Sequence, residues 1–296
     1  MNVQRRKNYF IDRLDLGKEQ EIVIDQTFKN VVLTHITGNY MKNINIPLFL
    51  AIQGYPGEGK TFQTLKICSE SGVKICYISG SELSGNYEKD SILDLEENYI
   101  RACNYFVSEN IPCVIIIDDF HLSPASIKSG VGITINSQIL IGFLMNLCDK
   151  AKNIEQYRTP IILIGNSFKE VYEPLKRDGR MDFFTWKASL SQKCEIAHNL
   201  FNELLPKKER VQIQSFVEKY KEQPLSFFKE VKNDIVKEKI NIYFNDNKNI
   251  DLKKCIIDLE NITICKINIK ELYNLAEKRL KNNCQYIYEG NNNGKN

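Results

Sequence analysis

The run Gly54-Tyr55-Pro56-Gly57-Glu58-Gly59-Lys60-Thr61, with Phe62 behind it, spells G-x-x-x-x-G-K-[ST], the pattern of a loop that cradles phosphates. Each residue type has a task there. Glycines let the backbone curl until successive N–H groups face an anion, and a helix opening at the end of the loop adds partial positive charge. Lys60 reaches the outer phosphates of a nucleotide, and Thr61 offers a hydroxyl to Mg²⁺. ATP and Mg²⁺ are the expected ligands, with Gly54 to Phe62 as the binding segment.

Three further groups fit the same chemistry. Val114-Ile115-Ile116-Ile117 ends in the two carboxylates Asp118 and Asp119. An apolar strand delivering an acid downstream of a phosphate loop predicts Asp118 as a Mg²⁺-associated ligand and Asp119 as the group that polarises attacking water. Many ATPases place Glu at the second position, and Asp119 is one methylene shorter. Ile164-Gly165-Asn166 puts an amide at the tip of another apolar run, where it can either orient water or touch the γ-phosphate, or simply cap a turn. Arg177 and Arg180, in Arg177-Asp178-Gly179-Arg180, read on residue type alone either as solvated surface cations or as a pair that acts on a neighbouring subunit's nucleotide.

These groups need a scaffold that brings them together, and the hydrophobic pattern supplies one. Apolar runs at Pro47–Gln53, Val73–Ser79, Pro112–Ile117 and Pro160–Ile164 are strand-length and near-continuous, as in strands covered on both faces. Between them, Lys60–Glu70, Ile92–Ser108 and Ser137–Lys150 carry apolar residues at helical spacing. Strand alternating with helix predicts an α/β domain with a parallel sheet sandwiched by helices, over 28–188. From Leu190 the period turns helical throughout, at Lys193–Leu205, Arg210–Tyr220, Leu225–Lys239 and Asn268–Asn283. A smaller, mainly helical domain is expected over 189–288, preceded at the other end of the chain by an N-terminal extension, 1–27. The polar tail 289–296 is expected to be disordered.

Composition narrows the function classes. The chain has 296 residues, 43% hydrophobic, with 40 Lys+Arg against 37 Asp+Glu and a formal charge of +3. That excludes wholesale disorder and gives no electrostatic sign of a nucleic-acid partner, although it does not forbid one. The nine cysteines are scattered without a C-x-x-C pair, which predicts small buried hydrophobes in a reducing compartment and no zinc site. The charged N-terminus lacks the apolar core of a signal peptide, and no run has the ~20 apolar residues of a membrane span. A cytoplasmic protein without a membrane partner is expected.

In this order and spacing, the motifs are similar to those of the AAA+ ATPases, and more specifically to rubisco activase. The resemblance is carried by Phe28–Gln63, by Ser79–Asn86 (SGSELSGN), by Thr134–Asp149 and above all by Pro160–Trp186, with its RDGRM run and closing Trp. Gln223–Val236 resembles part of that family's helical lid. The resemblance implies an AAA+ fold and assembly into a homo-oligomeric ring, in that family a hexamer. It makes Lys60 and Thr61 the phosphate and Mg²⁺ ligands, Asp118 the Mg²⁺-associated acid, Asn166 the sensor, and Arg177 and Arg180 trans-acting fingers. It also puts Thr34-His35-Ile36-Thr37 near the adenine, where His35 is either a base contact or a packed linker residue. Three departures stand out. Lys232 occupies the place nearest the lid's sensor arginine, and lysine has no planar fork. The 27 residues before Phe28 do not resemble the plant enzymes' rubisco-engaging segment, so a client other than rubisco is expected. Tyr87 adds an aromatic to the loop that would line a ring's pore, where it could grip an extended peptide.

The activity expected is Mg²⁺-dependent ATP hydrolysis coupled to remodelling of a protein client. Two alternatives stay open. One is a nucleic-acid motor or helicase-loader-like ATPase, for which Lys237-Glu238-Lys239 and Lys253-Lys254 make too dispersed a basic surface. The other is a slow-turnover assembly factor, which the short acid Asp119 and the absent lid arginine would suit.

Overall fold

The computed structural model describes residues 7–11, 23–42, 44–84, 90–127, 134–150, 158–246, 252–253, 255–256 and 266–292. Tyr87, Gly85 and Asn86 lie outside the described residues, as does Lys254. The chain divides into two compact units, one ending at Lys187 and the other beginning its main run at Ala188.

The first unit is built on five strands, β1 (Phe49–Gln53), β2 (Lys74–Ser79), β3 (Cys113–Asp118), β4 (Ile161–Gly165) and β5 (Met181–Thr185), in the order β2-β3-β4-β1-β5. Every pairing is parallel. β3 and β4 are buried at every position, which is why their sequences run apolar without alternation. β5 had no counterpart among the expected strands. It is an edge strand whose middle residues are largely exposed, so Asp182 sits within it and the buried-strand pattern is missing.

Helices α1 (Gln26–Tyr40), α2 (Lys60–Glu70), α3 (Asp90–Glu109) and α4 (Ile135–Lys150) accompany the sheet. α1 also went unforeseen, yet its signals are present in the sequence. Asp25 caps it by accepting from the Phe28 amide at 2.8 Å, and Phe28, Val32, His35, Ile36 and Asn39 form its buried stripe. Phe28 is fully buried between Phe184 and Trp186 in edge-to-face contacts.

The segment 7–11 is docked on the outer edge of β2. Phe10 bridges Cys76 in antiparallel fashion, the Ile11 amide donates to the Ile75 carbonyl at 3.0 Å, and the Tyr77 amide donates to the Tyr9 carbonyl at 3.0 Å. Asn98 of α3 clamps the segment, donating to the Lys7 carbonyl and accepting from the Tyr9 amide. An edge strand's unpaired amides are thereby satisfied within the chain.

The second unit is helical: α5 (Leu190–Phe201), α6 (Ile213–Lys219), α7 (Leu225–Asp246) and α8 (Ile269–Asn292). Ser189 and Gln192 form a reciprocal capping box at the start of α5. Phe216 is the hub of its core, packed against Phe201, Tyr220, Phe228 and Tyr273. Lys232, on α7, is half-buried. α8 continues to Asn292, four residues into the tail expected to be disordered, and residues 293–296 lie outside the description.

Among the described residues the cysteines are free thiols, most of them buried. No helix there is long and apolar enough to cross a membrane.

Candidate functional site

Strand register decides which residues can meet. Gln53 pairs with Gly165, and Asp118 pairs with Ser79 on the other flank of β3, so β1, β3 and β4 end at nearly the same level. The chain that leaves each end carries Gly54, Asp119 and Asn166. From β1 the chain crosses over to β2, whereas from β4 it passes β1 to form β5, so connections diverge on either side of the β1–β4 pair. Such a switch point is where open parallel sheets hold ligands.

The loop after β1 is shaped by its glycines. Gly54 has φ 156°, and a Cβ there would collide with the Trp186 carbonyl, whose own amide donates to the Gln53 carbonyl at 2.7 Å. Gly57 and Gly59 both have φ 77°, left-handed values that other residues rarely adopt. Tyr55, Pro56 and Gly57 are exposed at the turn, and Tyr55 is 70% exposed. Glu58 is buried, and its carbonyl accepts from the indole Nε1 of Trp186 at 2.8 Å, tying the loop to the sheet. Phe62 is half-buried on α2.

Gly59 caps α2 with no side chain to satisfy the helix's first amides, and the first turn has no acidic residue. Those amides and Lys60 therefore present uncompensated positive potential where the loop closes. Lys60 folds back, its Nζ donating to the carbonyls of Gly54 at 2.7 Å and Tyr55 at 2.9 Å, with the Asn166 Oδ1 at 3.5 Å. Burial lowers its pKa from the usual lysine value, opposed by the charges of Asp118, Glu58 and Asp119.

Asp118 is buried and fully engaged. Its Oδ1 accepts from the Thr61 hydroxyl at 3.1 Å and from the Asp119 amide at 2.9 Å, and its Oδ2 accepts from the Tyr77 hydroxyl at 2.7 Å. Burial, and next that bond to Asp118, hold the Tyr77 phenol well above its ordinary pKa, so it is a donor. Asp119 is exposed and takes the left-handed region at φ 50°, unusual for a residue with a side chain. Gly80, just beyond β2, makes room for it: a Cβ there would strike the Asp119 carbonyl.

Asn166 sits between two groups, with Lys60 on one side and His121 Nε2 at 3.3 Å on the other. His121 was not anticipated, nor were Tyr77 and Gly80. The signals were slight: a histidine two residues past Asp119, and a tyrosine interrupting an apolar strand two residues before its end.

The remaining expected residues divide. Arg177 is exposed; its carbonyl accepts from the Arg180 amide at 3.0 Å, while its guanidinium bonds to none of the described residues. Arg180 is tied within its own chain, donating to the Pro174 carbonyl at 2.8 Å and pairing with Asp149 at 3.0 Å, with its side chain only 16% exposed. The two arginines therefore do not form an equivalent pair. His35 does not reach the loop at all, which corrects its expected place beside the adenine. It is 4% exposed beneath α1, where the nearest strand backbone is that of Leu48 and Ile161, at the opposite, amino ends of β1 and β4. A strand of that length separates the two levels by about 16 Å. Of the two readings, the packed residue is the one present. Burial lowers the His35 pKa to about 4 against weak support from the backbone at Ile161, with the Arg158 charge pushing the same way as burial. Neither ring nitrogen has a hydrogen-bond partner among the described residues.

The donor set fits Mg²⁺ and polyphosphate: a hydroxyl and a carboxylate already in contact, a lysine, and an uncapped helix start behind a glycine cradle that tolerates no Cβ at Gly54. Comparison with known proteins agrees. Residues 50–188 match the model of the ATPase family associated with various cellular activities (AAA). The chain is 28% identical over 255 residues to the ribulose bisphosphate carboxylase/oxygenase activase of an Anabaena strain, covering 82% of this chain and 59% of that protein. It is 30% identical over 220 residues to the Nostoc activase, 70% of this chain and 52% of that one. For the chloroplastic activase of Phaseolus vulgaris the identity is 30% over 218 residues, 69% and 48%. The chain thus spans about half the length of these relatives. The glycine cradle, the engaged Asp118 and the sheet order all lie in residues 50–188, which constitute an AAA ATPase domain in a chain similar to the rubisco activases over most of its length.

Proposed function

We propose that this protein hydrolyses ATP and uses the cycle to remodel a protein client as a ring-forming AAA+ machine. The observation that carries the first half is the convergence of Lys60, Thr61, Asp118 and Asn166 at the ends of β1, β3 and β4. In this reading the loop amides from Gly57 to Thr61 bind the β-phosphate and Lys60 spans to the γ-phosphate. Thr61 and Asp118 would hold Mg²⁺, which would supply positive charge against the phosphate oxygens. Asp119 orients and polarises the attacking water. As that water's oxygen bonds to the γ-phosphorus, the bond from the γ-phosphorus to the bridging oxygen breaks, leaving ADP and inorganic phosphate. Asn166 fixes the angle of attack, with Lys60 and His121 holding its amide.

Arg177 is the better-suited trans-acting cation, its guanidinium bonding to none of the described residues, while Arg180 braces the turn before β5. Such a finger is worth about 10³–10⁵ in rate. The client half of the proposal rests on the likeness to activases, proteins named for acting on another enzyme. The client here is taken to be a protein and not nucleic acid, since the overall charge is only +3.

Phosphate release from ATP with Mg²⁺ tests the catalytic half. Wild type turns over, Lys60→Ala loses nucleotide binding, and Asp119→Asn binds ATP but hydrolyses it slowly. Equal turnover by all three would refute the site. Affinity capture with Asp119→Asn, with Lys60→Ala as control, tests the client half. A protein enriched only on the slow variant supports remodelling, and nuclease-sensitive material enriched in its place overturns it.

A further inference from the structure

We infer that Tyr77 is a positioning residue for the Mg²⁺ site, fixing the carboxylate of Asp118 in the rotation that leaves its Oδ1 toward Thr61. This deepens the ATPase reading and rests on it. β2 and β3 are in register with Tyr77 opposite Ile116 and Ser79 opposite Asp118. Side chains alternate along a strand, so Tyr77, Ser79, Ile116 and Asp118 share one face. From two residues back, a tyrosine is long enough to place its hydroxyl on the Asp118 Oδ2, at 2.7 Å. Phenylalanine has the same ring and nothing to donate.

The consequence follows from counting acceptor sites. Asp118 takes two hydrogen bonds on Oδ1, from Thr61 and from its neighbour's amide, and one on Oδ2, from Tyr77. Without the phenol, Oδ2 loses its only described partner, and the plane of the carboxylate is held from the Oδ1 side alone. With it, the carboxylate is held at both oxygens, and its plane is fixed relative to the Thr61 hydroxyl. Tyr77 is itself pinned, because its amide donates to the Tyr9 carbonyl of the docked segment on one edge and β3 holds β2 on the other. Residues that orient a metal's ligands commonly matter about 10–100-fold in metal affinity.

The test is Tyr77→Phe, read by Mn²⁺ binding to the protein–ADP complex, followed by electron paramagnetic resonance. ADP affinity in EDTA and the melting temperature are measured alongside. The expected result is about a tenfold or greater loss of Mn²⁺ affinity, with ADP binding in EDTA unchanged and a matching rise in the Mg²⁺ needed for half-maximal turnover. Wild-type Mn²⁺ affinity in Tyr77→Phe overturns the inference, as does an equal loss of ADP binding in EDTA, which would mark a general structural role. Wild-type protein that neither holds Mn²⁺ with ADP nor turns over ATP overturns the nucleotide-site reading itself, and the inference with it.

Discussion

Gly80→Ala should damage catalysis more than stability, and the structure says why. Gly80 follows β2, and the backbone of Asp118 and Asp119 passes directly over its α-carbon. An added Cβ would lie 2.9 Å from the Asp119 carbonyl carbon and 3.1 Å from the Asp118 carbonyl oxygen, with the Asp119 oxygen nearer still. All three are backbone atoms, so no side chain can rotate away. Restoring ordinary contact moves that backbone by about half an ångström to an ångström. Overpacking of this kind costs about 1–3 kcal/mol, or roughly 2–12 °C in melting temperature for a domain of this size. The displaced atoms, however, belong to the residues proposed to hold Mg²⁺ and to polarise water. A misplacement near 1 Å can cost about 100-fold in turnover. Steady-state phosphate release at saturating ATP and Mg²⁺, paired with thermal melting, separates the two effects. Gly142→Ala is the control: nothing lies within 4 Å of its added Cβ, it sits inside α4, and alanine there should stabilise by about 0.5–1 kcal/mol. If Gly80→Ala turned over ATP and melted like wild type, the close approach and the reasoning built on it would be wrong.

Four other outcomes are expected. Arg177→Ala should lower turnover about 10³-fold or more with no change in melting, and mixing it with Lys60→Ala subunits should restore activity if Arg177 acts across subunits. Arg180→Ala should instead lower stability by about 1 kcal/mol, read by melting, because it loses the Pro174 and Asp149 bonds at a partly exposed site. His35 has a folded pKa below its unfolded value of about 6.5, so the stability it contributes is complete above pH 6.5 and is lost as pH falls toward 4. A His35→Leu variant should therefore show a flatter decline in melting temperature between pH 6.5 and 5 than wild type, and parallel curves would contradict the burial argument. Phe10→Ala should cost about 3 kcal/mol in chemical denaturation, since Phe10 is 8% exposed and stacks edge-on against Tyr105; wild-type stability would show that the segment 7–11 is not docked.

What the sequence disclosed follows from how each residue signals its role. The central strands β1, β3 and β4 were legible because each is buried along nearly all of its length and so is written almost wholly in apolar residues. β5 was hidden because one edge of it faces water. The phosphate loop declared itself through a spacing that few other structures need. The meeting of Thr61, Asp118 and Asn166 was readable once strand ends could be placed, since Asp118 closes β3, Asn166 follows β4 and the loop after β1 delivers Thr61 on α2. Tyr77, His121 and Gly80 were not, because each acts by reaching a residue far away in sequence, and their own neighbourhoods give no hint of the partner. His35 is the converse case. A resemblance transfers the identity of a segment, but α1 turns that segment so that His35 faces the amino ends of the strands. The arginines differ for the same kind of reason: Asp149, on α4, captures Arg180 and leaves Arg177 alone.

Lys60 shows how the site can be built yet stay open to exchange. Its ammonium donates to the carbonyls of Gly54 and Tyr55. Both carbonyls belong to the same loop that would receive the nucleotide. A γ-phosphate must draw Lys60 away from them, and the gain is an ionic bond replacing two neutral acceptors, a stronger class of interaction. The Asn166 amide, 3.5 Å from the same ammonium, is positioned to register that movement. Asp118 behaves differently, because its three donors are held by a helix, a strand and the adjacent backbone, none of which must move. On the function proposed above, the site would pair a fixed Mg²⁺ half with a phosphate half in which Lys60 moves. An ATPase that signals its nucleotide state requires that asymmetry, since only the part that moves between states can carry the signal beyond the site.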